Sequence, residues 1–267
     1  KKRPNKNHLI IHVNSIEMSE KIGILNKDFY KLASVFWPGP LTFIVQQKKD
    51  SEISKIVNSK LSTVALRMPS SYVFLATIKA LNKPIAAPSA NISGYLSSTN
   101  AQHVFESFGE KISLIIDSGQ CELGIESTII NMTTRPYIIE RLGVISKNEI
   151  LKKTGIKLKD KNTFSEKKII APGQLSKHYA PSTPIRLNAK KPKINEAFLC
   201  FGEQNKNYEF SMNLSSKGCL SEAAHNLFDY LRKLDKLNKV KIAVSAIPNK
   251  NIGKTINERL KRAIVKS

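Results

Sequence analysis

Arginine is scarce in this chain: of 43 basic residues only eight are arginines, and the rest are lysines spread along the whole length. Acidic residues are few as well, 21 against those 43, which leaves a formal charge of +22. Such a charge favours phosphate-bearing ligands and polyanions such as nucleic acid. A lysine-, asparagine- and isoleucine-rich composition gives the same number through genome bias, so the charge alone selects no partner. Cysteine is scarcer still. Cys121, Cys200 and Cys219 are odd in number and lack CxxC or metal-ligand spacing, the pattern of reduced thiols in a cytosol. No apolar run reaches eighteen residues, which excludes an apolar membrane-spanning helix, and no signal-peptide pattern opens the sequence. A cytoplasmic location with no membrane partner is expected.

Catalytic signatures are equally sparse. GxSxG, HExxH, GxxxxGK[ST] and GxGxxG are all missing, so the common hydrolase, zinc-protease and nucleotide-loop readings have no support. Five scattered histidines form no metal-ligand cluster, and no internal repeat is present.

What is present is an alternation of short apolar runs with helical segments over residues 1–146. Leu9 to Val13, Leu41 to Gln46, Thr63 to Arg67, Ile85 to Ala87, Leu114 to Asp117, Ser127 to Met132 and Tyr137 to Arg141 read as strands. Asp28 to Phe36, Tyr72 to Leu81 and Ala101 to Phe108 read as helices, the last capped by Thr99 or Asn100. Trp37-Pro38-Gly39-Pro40 breaks the chain between a helix and a strand. A lysine-rich stretch with a short helix at Lys147 to Thr154, followed by Pro172, Gly173 and Pro181, reads as a linker over 147–182. Residues 183–267 then give a strand at Ala197 to Phe201 and an amphipathic helix at Leu220 to Leu237, started by Ser221. A strand at Val240 to Ala246 and a helix at Ile256 to Val265 complete a small parallel-sheet domain. The fold class is α/β, a twisted mixed sheet with helices followed by a smaller Rossmann-like domain.

Polar donors gather at the ends of these strands. Lys1 and Arg3 precede the first, Arg67 ends another, and Ser89 and Asn91 follow a third in the small-residue run Ala86 to Gly94. Ser127 and Thr128 open a fourth, and Arg141 ends a fifth. Hydroxyls, amides and arginines without a nucleophile suit a site that aligns phosphates and carboxylates, catalysing by proximity and charge neutralisation. Arg is the better residue for planar, bidentate recognition of either group.

Eight segments, in order, resemble those of threonylcarbamoyl-AMP synthases in their long, two-domain form. The YrdC-like domain is matched by Lys1-Lys-Arg3-Pro4-x-x-Asn7 with Leu9-Ile-Ile-His12, by Trp37-Pro-Gly-Pro-Leu-Thr42 and by Leu66-Arg-Met-Pro69. Ala87-Pro-Ser-Ala-Asn-x-Ser-Gly94 and Glu126-Ser-Thr128 continue the match. Pro172-Gly173 with His178-Tyr-Ala-Pro181 is similar to the family's linker. Glu222 to Asp235 and Gly253 to Leu260 are similar to its C-terminal domain.

That resemblance implies synthesis of L-threonylcarbamoyl-AMP and pyrophosphate from L-threonine, bicarbonate and ATP, with Mg2+ accompanying ATP. The product would pass to the tRNA threonylcarbamoyl-transfer machinery. It implies that Arg3, Asn7, Thr63, Ser89, Asn91, Ser97 and Arg141 contact ATP and that His12, Arg67, Ala87 and Ser127 hold threonine. Lys1 and Arg3 would stabilise the reacting carboxylate or phosphate, and His178 and Tyr179 would close a lid.

Taken alone, several of these residues have plain structural readings. His12 fits a hydrogen-bonded strand histidine, Ser127 and Thr63 fit strand positions, Asn91 fits a turn and Ser97 a helix cap. His178 and Tyr179 fit an anchor that ties the linker to the first domain, and Trp37 to Pro40 a structural turn. The family's residues before the Lys-x-Arg pair, with a Pro-Thr-x-Thr-Val-Tyr-Gly-Leu segment, have no counterpart here, so one wall of the threonine pocket is expected to be missing. The alternative function is a non-catalytic protein that binds double-stranded RNA or tRNA through its positive charge.

Overall fold

A computed structural model describes residues 1, 8–59, 61–161, 179–204 and 206–264. In chain order the elements are β1 (Ile10–His12), α1 (Ile16–Glu20), β2 (Gly23–Ile24), α2 (Lys27–Phe36), β3 (Leu41–Gln47) and β4 (Thr63–Arg67). Next come α3 (Tyr72–Leu81), β5 (Ile85–Ala87), α4 (Ala101–Phe108), β6 (Thr128–Asn131), β7 (Ile138–Arg141), α5 (Lys147–Thr154) and β8 (Lys159–Asp160). The chain ends with β9 (Ile185–Arg186), β10 (Glu196–Cys200), β11 (Ser211–Asn213), α6 (Leu220–Asp235), β12 (Lys241–Val244) and α7 (Ile252–Ala263).

Two compact units interleave along the sequence. One holds Arg3–Pro88 and Glu126–Gln174, the other Lys1–Lys2, Ser89–Ile125 and Leu175–Ser267. In the first, a mixed sheet runs β5-β1-β4-β3-β6-β7-β8, with β2 added on β3. Helix α2 begins where the Asn26 side chain accepts from the Phe29 amide at 3.0 Å, satisfying one of the unpaired donors of a first turn. It buries Phe29, Leu32, Ala33 and Phe36 against Ile11, Val13, Phe43, Val45 and Leu66 of the sheet. Each such side chain contributes about 1.5–3 kcal/mol by leaving water. Because strand side chains alternate between faces, the neighbours of those residues, Ile10, Ile44, Ala65 and Ile129, form a second, small apolar cluster. The polar ends of the same strands belong to this second face.

In the other unit β11-β10-β12-β9 form an all-parallel sheet. Helix α6 buries Ala223, Ala224, Leu227, Leu231 and Leu234. A Cβ on Gly253 would lie 2.1 Å from the Pro248 carbonyl oxygen, so glycine is what lets α7 start this close to the preceding turn.

Several sequence expectations need correction. Leu114 to Asp117 is not a strand. Leu114 and Ile116 are 71% and 59% exposed, and no strand among the described residues pairs with them. Helix α6 starts at Leu220 with Cys219 at its N-cap and no side-chain cap bond; Ser221 is inside the helix. Helix α7 begins four residues before the expected Ile256. Asn100, not Thr99, caps α4, accepting from the His103 amide at 2.8 Å, while Thr99 bonds the His103 ring.

Candidate active site on one face of the mixed sheet

Strand register gathers four polar side chains, His12, Arg67, Thr42 and Arg141. His12 lies opposite Arg67 in the parallel β1–β4 pair, and Ile10 lies opposite Ala87 in the antiparallel β1–β5 pair. One step beyond the Phe43–Leu66 pairing of β3 and β4, Thr42 faces Arg67. Thr42 in turn pairs with Ile129 of β6, and Ile129 with Arg141 of β7. His12, Arg67 and Thr42 are each two residues from a member of the small apolar cluster, so alternation puts them on that face.

Hydrogen bonds link the far end of this row. The Thr42 and Ser127 hydroxyl oxygens are 2.8 Å apart. Arg141 Nη2 donates to Ser127 Oγ at 3.0 Å, and its Nε and Nη2 both donate to the Ser127 carbonyl, at 3.1 and 2.9 Å. A fork of two N–H groups on one oxygen fixes the guanidinium plane. Thr42, Ser127 and Arg141 are all buried, where a hydrogen-bonded network holds a single geometry. Gly143 makes room for it: a Cβ there would meet the Thr128 nitrogen at 2.2 Å and the Ser127 carbonyl carbon at 2.4 Å.

Arg67 is oriented from the turn that precedes β3. Its Nε donates to the Gly39 carbonyl at 3.0 Å, and the Gly39 amide donates to Met68 at 2.8 Å. The Trp37-Pro-Gly-Pro turn thus presents an acceptor to the arginine as well as breaking the chain. His12 is buried, with its ring 4.8 Å from that of Phe74. Burial first, and the Arg67 charge second, depress its pKa to about 4, against weaker opposition from the carbonyls of Ile85 and Ile10. The imidazole is therefore neutral at pH 7, and Nδ1 has no hydrogen-bond partner among the described residues. Strand β5 pairs only with β1 among the described residues, so its other edge presents backbone groups near Ala87. Thr63 lines a void of about 10 Å³ with His8 and Asn58, room for one water at most.

Lys1, Ser89, Asn91, Ser97 and Tyr179 belong to the other unit. Lys1 Nζ donates to the carbonyls of Ser89 and Asn91, and the Ser93 amide donates to the Lys1 carbonyl at 3.2 Å. Asn91 Nδ2 donates to the carbonyls of Ile92 and Tyr95 at 2.8 and 2.9 Å, which shapes the turn, while its buried Oδ1 has no partner among the described residues. Ser89 is exposed and Ser97 buried. Tyr179 is 1% exposed; its ring stacks on Phe228 at 5.4 Å and lies 4.8 Å from the Arg259 guanidinium carbon. That is an anchor's environment. Arg3, Asn7 and His178 lie outside the described residues. Sequence reasoning missed Thr42, Gly39 and Gly143 as supports of the site, although Thr42 and Gly39 fall inside a quoted motif. Among the described residues no group of three or more His, Cys, Asp or Glu could hold a metal ion, and no helix is long and apolar enough to cross a membrane.

Comparison with known proteins gives the family. The Sua5/YciO/YrdC family model, described as telomere recombination, matches residues 1–143. The model of the threonylcarbamoyl-AMP synthase C-terminal domain matches 139–264. The threonylcarbamoyl-AMP synthase of Pyrococcus abyssi is 35% identical over 98% of this chain and 82% of its own. That of Bacillus subtilis is 34% identical over 98% and 81%. A crystal structure of P. abyssi Sua5 complexed with L-threonine superposes with a TM-score of 0.88 at 33% identity, covering 98% of this chain and 81% of that one. The chain belongs to the threonylcarbamoyl-AMP synthase family, in its two-domain Sua5 form.

Proposed function

We propose that the chain condenses L-threonine and bicarbonate with the adenylyl group of ATP, giving L-threonylcarbamoyl-AMP, pyrophosphate and water. The observation that carries this reading is the row His12, Arg67, Thr42, Ser127 and Arg141 on one sheet face, with both guanidinium groups oriented by backbone carbonyls. Arg67 takes the threonine carboxylate, for which a planar cation is suited. Neutral His12 and Ser127 hydrogen-bond the amino acid, and the Ala87 backbone at the β5 edge lies against it. With the carboxylate held, the threonine amine forms a carbamate with the bicarbonate-derived carbon, and a carbamate oxygen displaces pyrophosphate from the α-phosphate. Fixed positive charge speeds such a step by neutralising charge on the phosphate oxygens.

Arg141 and Thr63 are assigned to ATP in the unit of the mixed sheet, and Ser89, Asn91 and Ser97 in the other. Arg3 and Asn7 join them, and Lys1 with Arg3 stabilises the reacting carboxylate or phosphate. Mg2+ would accompany ATP and offset phosphate charge, with no protein ligand assigned. His178 and Tyr179 are assigned to closure of the linker, Tyr179 as its fixed end. The adenylate is a reactive mixed anhydride, so it passes to tRNA threonylcarbamoyl-transfer machinery, and the net charge of +22 favours an RNA-bearing recipient.

The test is pyrophosphate release from ATP in bicarbonate buffer, with and without L-threonine. Threonine-dependent release, falling about 100-fold or more in Arg67→Ala, is the expected result. Release that ignores threonine, or an unchanged Arg67→Ala rate, would refute the reading. Salt-sensitive binding of double-stranded RNA without threonine binding would support the non-catalytic alternative instead.

A further inference from the structure

Helix α6 carries a second buried stripe besides the one that packs in its own sheet. Phe228, Asp229, Arg232 and Asp235 are buried and, with the half-buried His225, recur at helical spacing, and each touches a segment of the same unit that is remote in sequence. Arg232 is 4% exposed. Its Nη2 donates to the Leu96 carbonyl at 2.6 Å and its Nε to the Ser97 carbonyl at 3.3 Å, and its guanidinium carbon lies 4.9 Å from the Tyr95 ring centroid. The Asp235 carboxylate accepts from the Tyr95 hydroxyl at 2.6 Å, from the Ser182 amide at 3.1 Å and from the Thr183 amide at 2.7 Å. The Ala180 amide donates to the Gly94 carbonyl at 2.9 Å. One turn of helix therefore fixes both the backbone of 94–97 and the end of the linker at 180–183.

We propose that Arg232 and Asp235 are positioning residues for the synthase reaction: they set the backbone that carries Ser97, and so the ATP contact assigned to it, and tie the linker to the same point. This rests on the proposed function. A buried arginine with two backbone carbonyls as acceptors holds those carbonyls rigidly, because leaving either side unpaired costs about 1–3 kcal/mol or more. Three donors on one carboxylate do the same for the linker. On this basis the family's C-terminal domain contributes to catalysis through main-chain geometry, without touching a reacting atom.

Two mild variants test this. Tyr95→Phe deletes one hydroxyl and keeps the ring beneath Arg232. Arg232→Lys keeps a cation and loses the planar fork. In folded protein, checked by thermal melting, each is expected to raise the ATP KM about tenfold, one hydrogen bond's worth. The threonine KM should stay within about twofold, a split that a general loss of structure would not produce. Lys236→Met, which removes only the exposed pair with Glu106, should leave both constants unchanged. Unaltered ATP KM in Tyr95→Phe, or equal rises in both constants, overturns the inference while leaving the synthase reading intact. A wild-type protein with no threonine-dependent release sinks both together.

Discussion

His12 makes the folded protein sensitive to mild acid, by an amount set by its surroundings. Its pKa is about 4 in the fold against 6.5 for the free side chain. Between those values the unfolded chain takes up a proton that the folded chain refuses, so stability is complete above the unfolded value and is lost as pH falls below it. The full loss, reached below pH 4, is about 3 kcal/mol. Between pH 7.5 and pH 5 the same linkage gives about 2 kcal/mol. The leading cause is burial, so Gln, which is uncharged and similar in length, should remove the dependence. Urea unfolding of wild type and His12→Gln at the two pH values measures it. The acid-induced loss should be about 2 kcal/mol smaller in the variant, and the wild-type imidazole should stay neutral by NMR at pH 5. Equal losses in the two proteins, or a ring titrating near 6.5, would refute the reasoning. Because the Arg67 charge is the second cause, Arg67→Gln should move the ring's titration towards neutrality.

Two other substitutions probe the supports of the site. Gly143→Ala places a methyl group 2.2 Å from the Thr128 nitrogen, which the backbone can relieve only by moving Ser127. Calorimetry should find threonine affinity lowered about tenfold or more and a melting point lowered by several degrees. Thr42→Val keeps the shape and removes the hydroxyl 2.8 Å from Ser127 Oγ. It should destabilise the protein by about 1–2 kcal/mol in denaturant and weaken threonine binding, and an unchanged affinity would show that Arg141 alone orients Ser127.

Much of the mixed sheet was legible because its strands are short apolar runs bounded by turns, and the start of α4 because Thr99 and Asn100 stand where a cap belongs, Asn100 filling the place. Strands β2, β8 and β9 have two residues each, too few for any alternation to show. Leu114 to Asp117 misled for the opposite reason: it has the composition of a strand and, among the described residues, no strand to pair with. At the site, residue types and motif spacing pointed to His12, Arg67, Ser127 and Arg141. Thr42, Gly39 and Gly143 were not legible, since a buried hydroxyl, a carbonyl and a missing Cβ acquire meaning only through neighbours distant in sequence. The stripe of Asp229, Arg232 and Asp235 was hidden in the same way, reading as the solvated side of an amphipathic helix.

The interleaving of the two units sets the order in which this chain can become a protein. Strand β3 pairs with β6, so the mixed sheet stays open until residue 128 and its successors have been synthesised. Residues 89–125, made earlier, belong to a unit whose strands and α6 come after residue 180. Throughout that interval the buried faces of α4 and of the Tyr95 turn have no helix to pack against. A cleavage between residues 161 and 179 would accordingly not yield two autonomous halves. The amino-terminal piece would retain 89–125 without α6, and the carboxy-terminal piece would leave Arg232 without the Leu96 and Ser97 carbonyls, Asp229 without His103 and Asp235 without the Tyr95 hydroxyl.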